Sequence, residues 1–375
     1  MSRAYRVSYI EGDGIGPEIF ASARAVLDVL SDSFKISFEF VATPAGDKAL
    51  KDFGAALPKQ SYAAIRESDL CLKAPVGETA KETILFLRQE LDLYANIRPA
   101  KNYPYIESKF SDVDLVIVRE NTEDLYVGRE FEEMNGKKAI ALKVVTEAAS
   151  KRIARTAFEI ALSRHETRSS SGSQSEPSVV CVQKSNVLPM TDGLFLRSCD
   201  SVSKSFPSVK YSSMYVDTAA MNLVRSPEAF DVIVTSNMYG DILSDEASQV
   251  VGGLGVASSA NYGDDFAVFE PVHGCAPDIA GKGIANPLSM LFTTKMMLEW
   301  LGAKRQDPSC LAASKSLESA ISAVTRSGMK TPDIGGNSST EIVTRAICAE
   351  IRRQTGRALD DGRFEIMKED VLLKW

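Results

Sequence analysis

The sequence predicts an α/β fold. Short apolar strand-type runs alternate with helix-period segments from the first residues, and a single Asn-Gly turn marks a hairpin. Residues 6–10 are the first candidate strand, followed by the turn GDGIGPE. Residues 18–30 then place Ile19, Phe20, Ala23, Val26, Leu27 and Leu30 at helical spacing, with Pro17 suited to a first helical turn. Residues 36–41 alternate as a second strand, and 69–73 are a short buried one. Such alternation implies parallel strands. Residues 113–118 are a further strand, interrupted only by Asp114. Asn135-Gly136 lies between two strand-like runs, the pattern of a hairpin. It is either an arm reaching a second copy or a plain surface hairpin. Residues 147–161 form a helix, and the Ser-rich stretch 168–178 reads as a mobile surface loop. Residues 179–182 resume a strand, MYVDTAAMNLV (214–224) looks strand-like, and 230–235 are a buried strand. A helix is expected to start after Gly240, and a long apolar one runs from Asn286-Pro287 to about residue 301. From residue 354 onward periodicity is weak.

Bulk properties exclude several classes. A chain of 375 residues, 44% hydrophobic and 25% charged, has ordinary globular composition and room for two domains. Its formal charge of −7 argues against general binding to nucleic acid or anionic membranes. Six cysteines without a C-x-x-C pair suggest reduced, buried thiols and a cytoplasmic location. Only His165 and His273 exist, which excludes a zinc site of several His ligands. No apolar run is long enough for a membrane span, and the N-terminus lacks the apolar core of a signal peptide.

The chemistry-bearing residues fall into two groups of opposite charge. Asp241 and Asp245 stand four apart in NMYGDILSDEAS, so on a helix both carboxylates share a face. A hard divalent cation between them would relieve their repulsion; two solvated acids in a first helical turn are the plainer alternative. Arg88, Arg98 and Arg119 lie on separate segments, Arg119 directly after a strand. Guanidinium forks bind carboxylates bidentately, so three of them suit a substrate with more than one carboxylate; ordinary surface ion pairs are the alternative. Tyr126 suits a general acid or a packed phenol, and Lys184 a base or a solvated strand end. Asp217 suits a third metal carboxylate or a helix cap. In FEPVHGCAPDIAGKGIANP, His273 can stack on a flat ring and Asp278 can accept from a ribose 2′-hydroxyl. A surface Ω-loop explains the same segment equally well.

Taken together, GDGIGPE, LRQELDLYANIRPAK, RENTEDLY, KSNVL, YVD, NMYGDILSDEAS, EPVHGCAPDIAGKGIANP and TPDIGG resemble the metal-dependent isocitrate/isopropylmalate/homoisocitrate dehydrogenase family, closest to its archaeal isopropylmalate branch. The resemblance implies a two-domain α/β fold with a mixed central sheet and flanking helices, not a standard Rossmann fold. One domain would combine residues 1–94 with 252–375; the other would span 95–251 and carry the dimer arm. It implies a homodimer, or a tetramer, with shared active sites and a small-molecule substrate. Arg88, Arg98 and Arg119 would bind the malate part of that substrate. Asp241 and Asp245, with Asp217 from the other subunit, would hold Mg²⁺ or Mn²⁺. Tyr126 and Lys184, the latter also from the partner, would move protons. His273, Gly274, Ala276, Asp278, Ile279 and Asn286 would bind the dinucleotide, with Asp278 and Ile279 matching users of NAD. Six and four positions before Arg88, where isocitrate enzymes carry Ser and Asn, stand Glu82 and Ile84. Ile84 and Leu85 suit a branched alkyl group and Glu82 would repel a carboxylate, so 3-isopropylmalate is the expected substrate, with isocitrate or homoisocitrate as alternatives. Two departures from the isopropylmalate pattern are Lys81, where a Glu is usual, and Gly77, where a Thr is.

Overall fold

A computed structural model describes residues 4–170 and 175–356. Twelve strands are found among them: β1 (Ala4–Ile10), β2 (Ser37–Ala42), β3 (Leu70–Lys73), β4 (Ala95–Lys101), β5 (Asp114–Glu120), β6 (Glu130–Glu133), β7 (Lys138–Ala141), β8 (Ser178–Gln183), β9 (Lys210–Tyr215), β10 (Val232–Thr235), β11 (Ser258–Tyr262) and β12 (Ala267–Pro271). Ten of these form one sheet in the order β2-β1-β3-β12-β11-β4-β5-β10-β8-β9. The outer strands pair in parallel, as crossover helices require. The central β12-β11-β4-β5 pairings are antiparallel. The sheet is therefore mixed, where strand–helix alternation alone implied a parallel one. β11 and β12 are joined by a tight turn in which the Gly263 N–H donates to the Phe266 carbonyl at 2.9 Å.

β6 and β7 form the separate Asn-Gly hairpin. Met134, Asn135 and Gly136 all have positive φ there, which glycine and asparagine tolerate best. Phe131, Met134 and Leu142 are exposed on it.

Three helix expectations are corrected. The segment after β9 is a helix, Val216–Arg225, not a strand; Asp217 lies in its first turn. Its outward face mixes Met221 and Val224 with Asp217 and Arg225. The helix bearing the Asp pair spans Asn237–Val250 and begins before Gly240, directly after β10. Helix Glu147–Ser170 extends into the Ser-rich stretch where a loop is expected; residues 171–174 lie outside the described residues. The tail beyond residue 356 also lies outside them. Helix Leu288–Arg305 packs on β11 and β12 and anchors the largest core cluster.

Candidate active site

Side chains alternate across a strand, so register decides which polar groups share a face. Arg119 stands opposite Asn96, Asn96 opposite Asn261, and Ser259 opposite Glu270. Arg98 lies two residues from Asn96 and so points the same way. Glu270 reaches on to Lys73, with Nζ to Oε2 at 2.7 Å. A polar stripe thus crosses five neighbouring strands, β5-β4-β11-β12-β3, through the middle of an apolar sheet.

Around this stripe is a cavity of about 400 Å³. Lys73, Arg88, Arg98, Arg119, Tyr126, Asp241, Ser259, Glu270, His273 and Gly274 line it on the polar side, and Val76, Ile84, Leu85 and Val272 supply an apolar wall. Helix Lys81–Glu90 carries Ile84, Leu85 and Arg88 to it. The sequence expectation that Arg and Asp from distant segments meet is met at atomic distance. Arg98 approaches Asp241 at 3.2 Å and Asp245 at 3.3 Å, and donates to Ser244 Oγ at 2.7 Å. Arg119 pairs with Asp241 and grips Asn237 Oδ1 through Nε at 3.0 Å and Nη2 at 2.7 Å. Tyr126 Oη donates to Asp241 Oδ2 at 2.6 Å.

Local folding explains this convergence. Gly240 lies against Arg119: a Cβ there would come within 2.5 Å of Arg119 Cγ, so only glycine lets the arginine pass under the helix. Asp124 accepts from Met238 N at 3.0 Å, which fixes the RENTEDLY loop, and so Tyr126, to the start of helix Asn237–Val250. In GDGIGPE, Asp13 accepts from the backbone N–H groups of Asp47, Lys48 and Gly77 at 2.7, 2.9 and 2.8 Å. A Cβ on Gly77 would lie 1.8 Å from Asp47 Oδ2, so a Thr there would require the Asp47 side chain to move.

The electrostatics follow burial and charge. Arg119 is 1% exposed, and burial, with Arg98 and Arg88 nearby, pulls its guanidinium down to about 9. Burial tends to raise the Asp241 carboxyl, but Arg119 and Arg98 outweigh it and hold it below the usual range. Burial raises Asp245 despite Arg98. Burial and the bond to Asp241 raise the Tyr126 phenol, so it remains a proton donor. Glu270 is held down to about 2 by Lys73 and Arg88 against the effect of burial. Arg88 Nε is buried with no hydrogen-bond partner.

The model of the isocitrate/isopropylmalate dehydrogenase family matches residues 6–351. The chain belongs to this family. It is 50% identical over 334 residues to the 3-isopropylmalate dehydrogenase of Saccharolobus solfataricus, covering 89% of this chain and 95% of that one. It is 48% identical over 338 residues to the enzyme of the same name from Sulfurisphaera tokodaii, covering 90% and 96%. The isocitrate/homoisocitrate dehydrogenase of Thermus thermophilus is 44% identical over 355 residues, covering 93% and 99%. Among solved structures, isocitrate dehydrogenase from Methylococcus capsulatus superimposes with a TM-score of 0.83 at 38% identity, covering 93% and 99%. This chain is an oxidoreductase of the isocitrate/isopropylmalate dehydrogenase family, with that family's mixed α/β architecture.

Not every expected residue reaches this family member's cavity. Lys184 and Asp217 pair with each other and do not border it. Among the described residues no group of three His, Cys, Asp or Glu side chains is close enough to hold a metal ion. Of the loop expected to bind dinucleotide, His273 and Gly274 border the cavity, whereas Ala276, Asp278, Ile279 and Asn286 do not. Asp278 is exposed, and Asn286 is held by Asp333 at 2.9 Å. Glu82 is exposed and does not line the cavity, so its charge does not shape the pocket; the Lys81 side chain lies outside the described residues. Lys73, Asn96, Ser259, Asn261 and Glu270 belong to the site without carrying a local sequence motif. Their one sequence signal is polarity within otherwise apolar strands. Among the described residues no helix is long and apolar enough to cross a membrane.

Proposed function

We propose that the chain catalyses NAD-dependent oxidative decarboxylation of 3-isopropylmalate to 2-oxoisocaproate, a step of leucine synthesis, as a cytoplasmic homodimer. The observation that carries the substrate is the wall of Val76, Ile84 and Leu85 facing three arginines. A branched alkyl group fits that wall, and burying it there contributes about 1.5–3 kcal/mol. A third carboxylate, as in isocitrate or homoisocitrate, would be desolvated against it.

Arg88, Arg98 and Arg119 hold the two carboxylates; all three line the cavity. Asp241 and Asp245, with Asp217 of the partner subunit, would hold Mg²⁺ or Mn²⁺, which when bound acidifies a coordinated hydroxyl and draws electrons toward a carbonyl. Two carboxylates on one helix face fit such an ion, and Arg98 now bridges them. Lys184 of the partner subunit takes the hydroxyl proton. NAD, when bound, would supply the hydride acceptor, and Asp278 would accept a hydrogen bond from its adenosine ribose. After loss of CO₂, Tyr126 gives its proton to the new carbanionic carbon. The dimer and the third ligand rest on the separation of Lys184 and Asp217 from their own chain's cavity, and on the exposed hairpin. The domain division at residues 94/95 and 251/252 belongs to the same reading: the polar stripe crosses the β11–β4 junction, where these two parts meet.

The test is NADH formation with Mg²⁺ or Mn²⁺ on 3-isopropylmalate, isocitrate, homoisocitrate and D-malate. The highest kcat/KM should fall on 3-isopropylmalate. A higher value for isocitrate or homoisocitrate refutes the pocket assignment.

A further inference from the structure

Arg88 and Arg98 come from different elements, and the structure ties them together through buried amides. Arg98 Nε donates to Asn96 Oδ1 at 2.7 Å. Asn96 Nδ2 donates to Asn261 Oδ1 at 3.0 Å and to Ser259 Oγ at 2.8 Å. Asn261 Nδ2 donates to Glu270 Oε1 at 2.9 Å, the same oxygen that Arg88 Nη2 approaches at 3.4 Å. Asn121 Nδ2 adds a second donor to Asn261 Oδ1 at 3.0 Å. Asn96 and Asn261 are fully buried, and neither lines the cavity.

The direction of this chain is fixed at both ends. A guanidinium only donates, so Asn96 must turn its oxygen to Arg98. An ionised carboxylate only accepts, so Asn261 must turn its nitrogen to Glu270. Two amides in series satisfy both demands in one arrangement only. Reversing either amide places oxygen against oxygen or nitrogen against nitrogen inside a dry sheet, where an unmatched polar group is costly.

We propose that Asn261 is a positioning residue that sets the spacing of Arg88 and Arg98. It fixes the distance between the two guanidinium groups and thereby the dicarboxylate they accept. Asn96 transmits the setting to Arg98, and Glu270 transmits it to Arg88. The relay crosses β4, β11 and β12, so the strand register defines the spacing. This inference rests on the reading that the two arginines hold substrate carboxylates.

The test is Asn261→Asp, which keeps size and shape but replaces the donor facing Glu270 by an acceptor. Substrate KM should rise about 10- to 100-fold, the range of one charge-assisted hydrogen bond, while dinucleotide KM changes less than about twofold. Asn96→Asp sets the same fault at the other end of the relay and should reproduce the selective rise, which covers poor folding of the first variant. Unchanged substrate KM in the single variants, or equal loss for substrate and dinucleotide, overturns the relay. Failure of the underlying reading looks different: the parent enzyme itself would then turn over no 2-hydroxy dicarboxylate.

Discussion

Replacing Tyr126 by Phe separates a catalytic role from a packing role, because the two predict losses of different size. The substitution removes one hydroxyl that donates to Asp241 Oδ2 at 2.6 Å and leaves the ring beside Arg119, whose Cζ lies 5.1 Å from the ring centre. The Asp241 side chain is 40% exposed, so water can replace the lost donor. The stability cost should therefore be that of an ordinary hydrogen bond, about 1 kcal/mol. A general acid is worth roughly 10²–10⁴ in rate. That corresponds to about 2.7–5.4 kcal/mol at the barrier. The rate effect should exceed the stability effect severalfold. The assay pairs steady-state NADH formation with denaturant unfolding, and adds a rapid-mixing experiment. With protonation of carbon slowed and hydride transfer intact, a burst of about one NADH per site should precede a slow steady state. A kcat within about threefold of the parent, with substrate KM unchanged, would refute the assignment of Tyr126 as the acid.

Other perturbations follow from the same geometry. Ile84→Ser should lower kcat/KM for 3-isopropylmalate by about 10- to 150-fold, the equivalent of 1.5–3 kcal/mol, and lower that for D-malate much less. Asp278→Lys should raise kcat/KM for NADP relative to NAD by on the order of tenfold, since it replaces repulsion of a 2′-phosphate by attraction; unchanged cofactor preference would remove Asp278 from the ribose site. Glu270 has a depressed pKa, about 2, so its contribution to stability is present above its unfolded value and is lost as pH falls toward 2. Unfolding free energy of Glu270→Gln should accordingly fall less steeply than the parent's between about pH 4.5 and 2, with a difference on the order of 2–4 kcal/mol. Exhaustive chelation should abolish turnover, and Mg²⁺ or Mn²⁺ should restore it; full activity after chelation contradicts the metal assignment.

The readable parts of the sequence were those with a local cause. The buried strands β3, β5, β8 and β10 announce themselves as apolar runs, and the hairpin by its Asn-Gly turn. Asp241 and Asp245 share a face by helical spacing alone. The convergence of Arg98 and Arg119 on Asp241 joins residues more than a hundred positions apart, so no window of sequence displays it. Asn96, Asn261 and Glu270 were silent for the same reason, because cross-strand register creates their partnership. Asp217 was misplaced on a strand because Tyr215 and Val216 favour strands, while the helix that follows turns Met221 and Val224 outward. GDGIGPE reads locally only as a turn, whereas Asp13 within it anchors three backbone N–H groups from two other segments.

The most direct test of the account is complementation between two inactive variants, Lys184→Ala and Asp241→Asn. In a mixed dimer, one cavity pairs an intact Asp241 with an intact Lys184 of the partner subunit, while the other cavity lacks both. Random assembly makes about half the dimers mixed, so co-expression should restore about a quarter of parental activity. Mixing that leaves activity at the level of the separate variants would show that each cavity works with its own chain's lysine, and would contradict an active site shared between two copies.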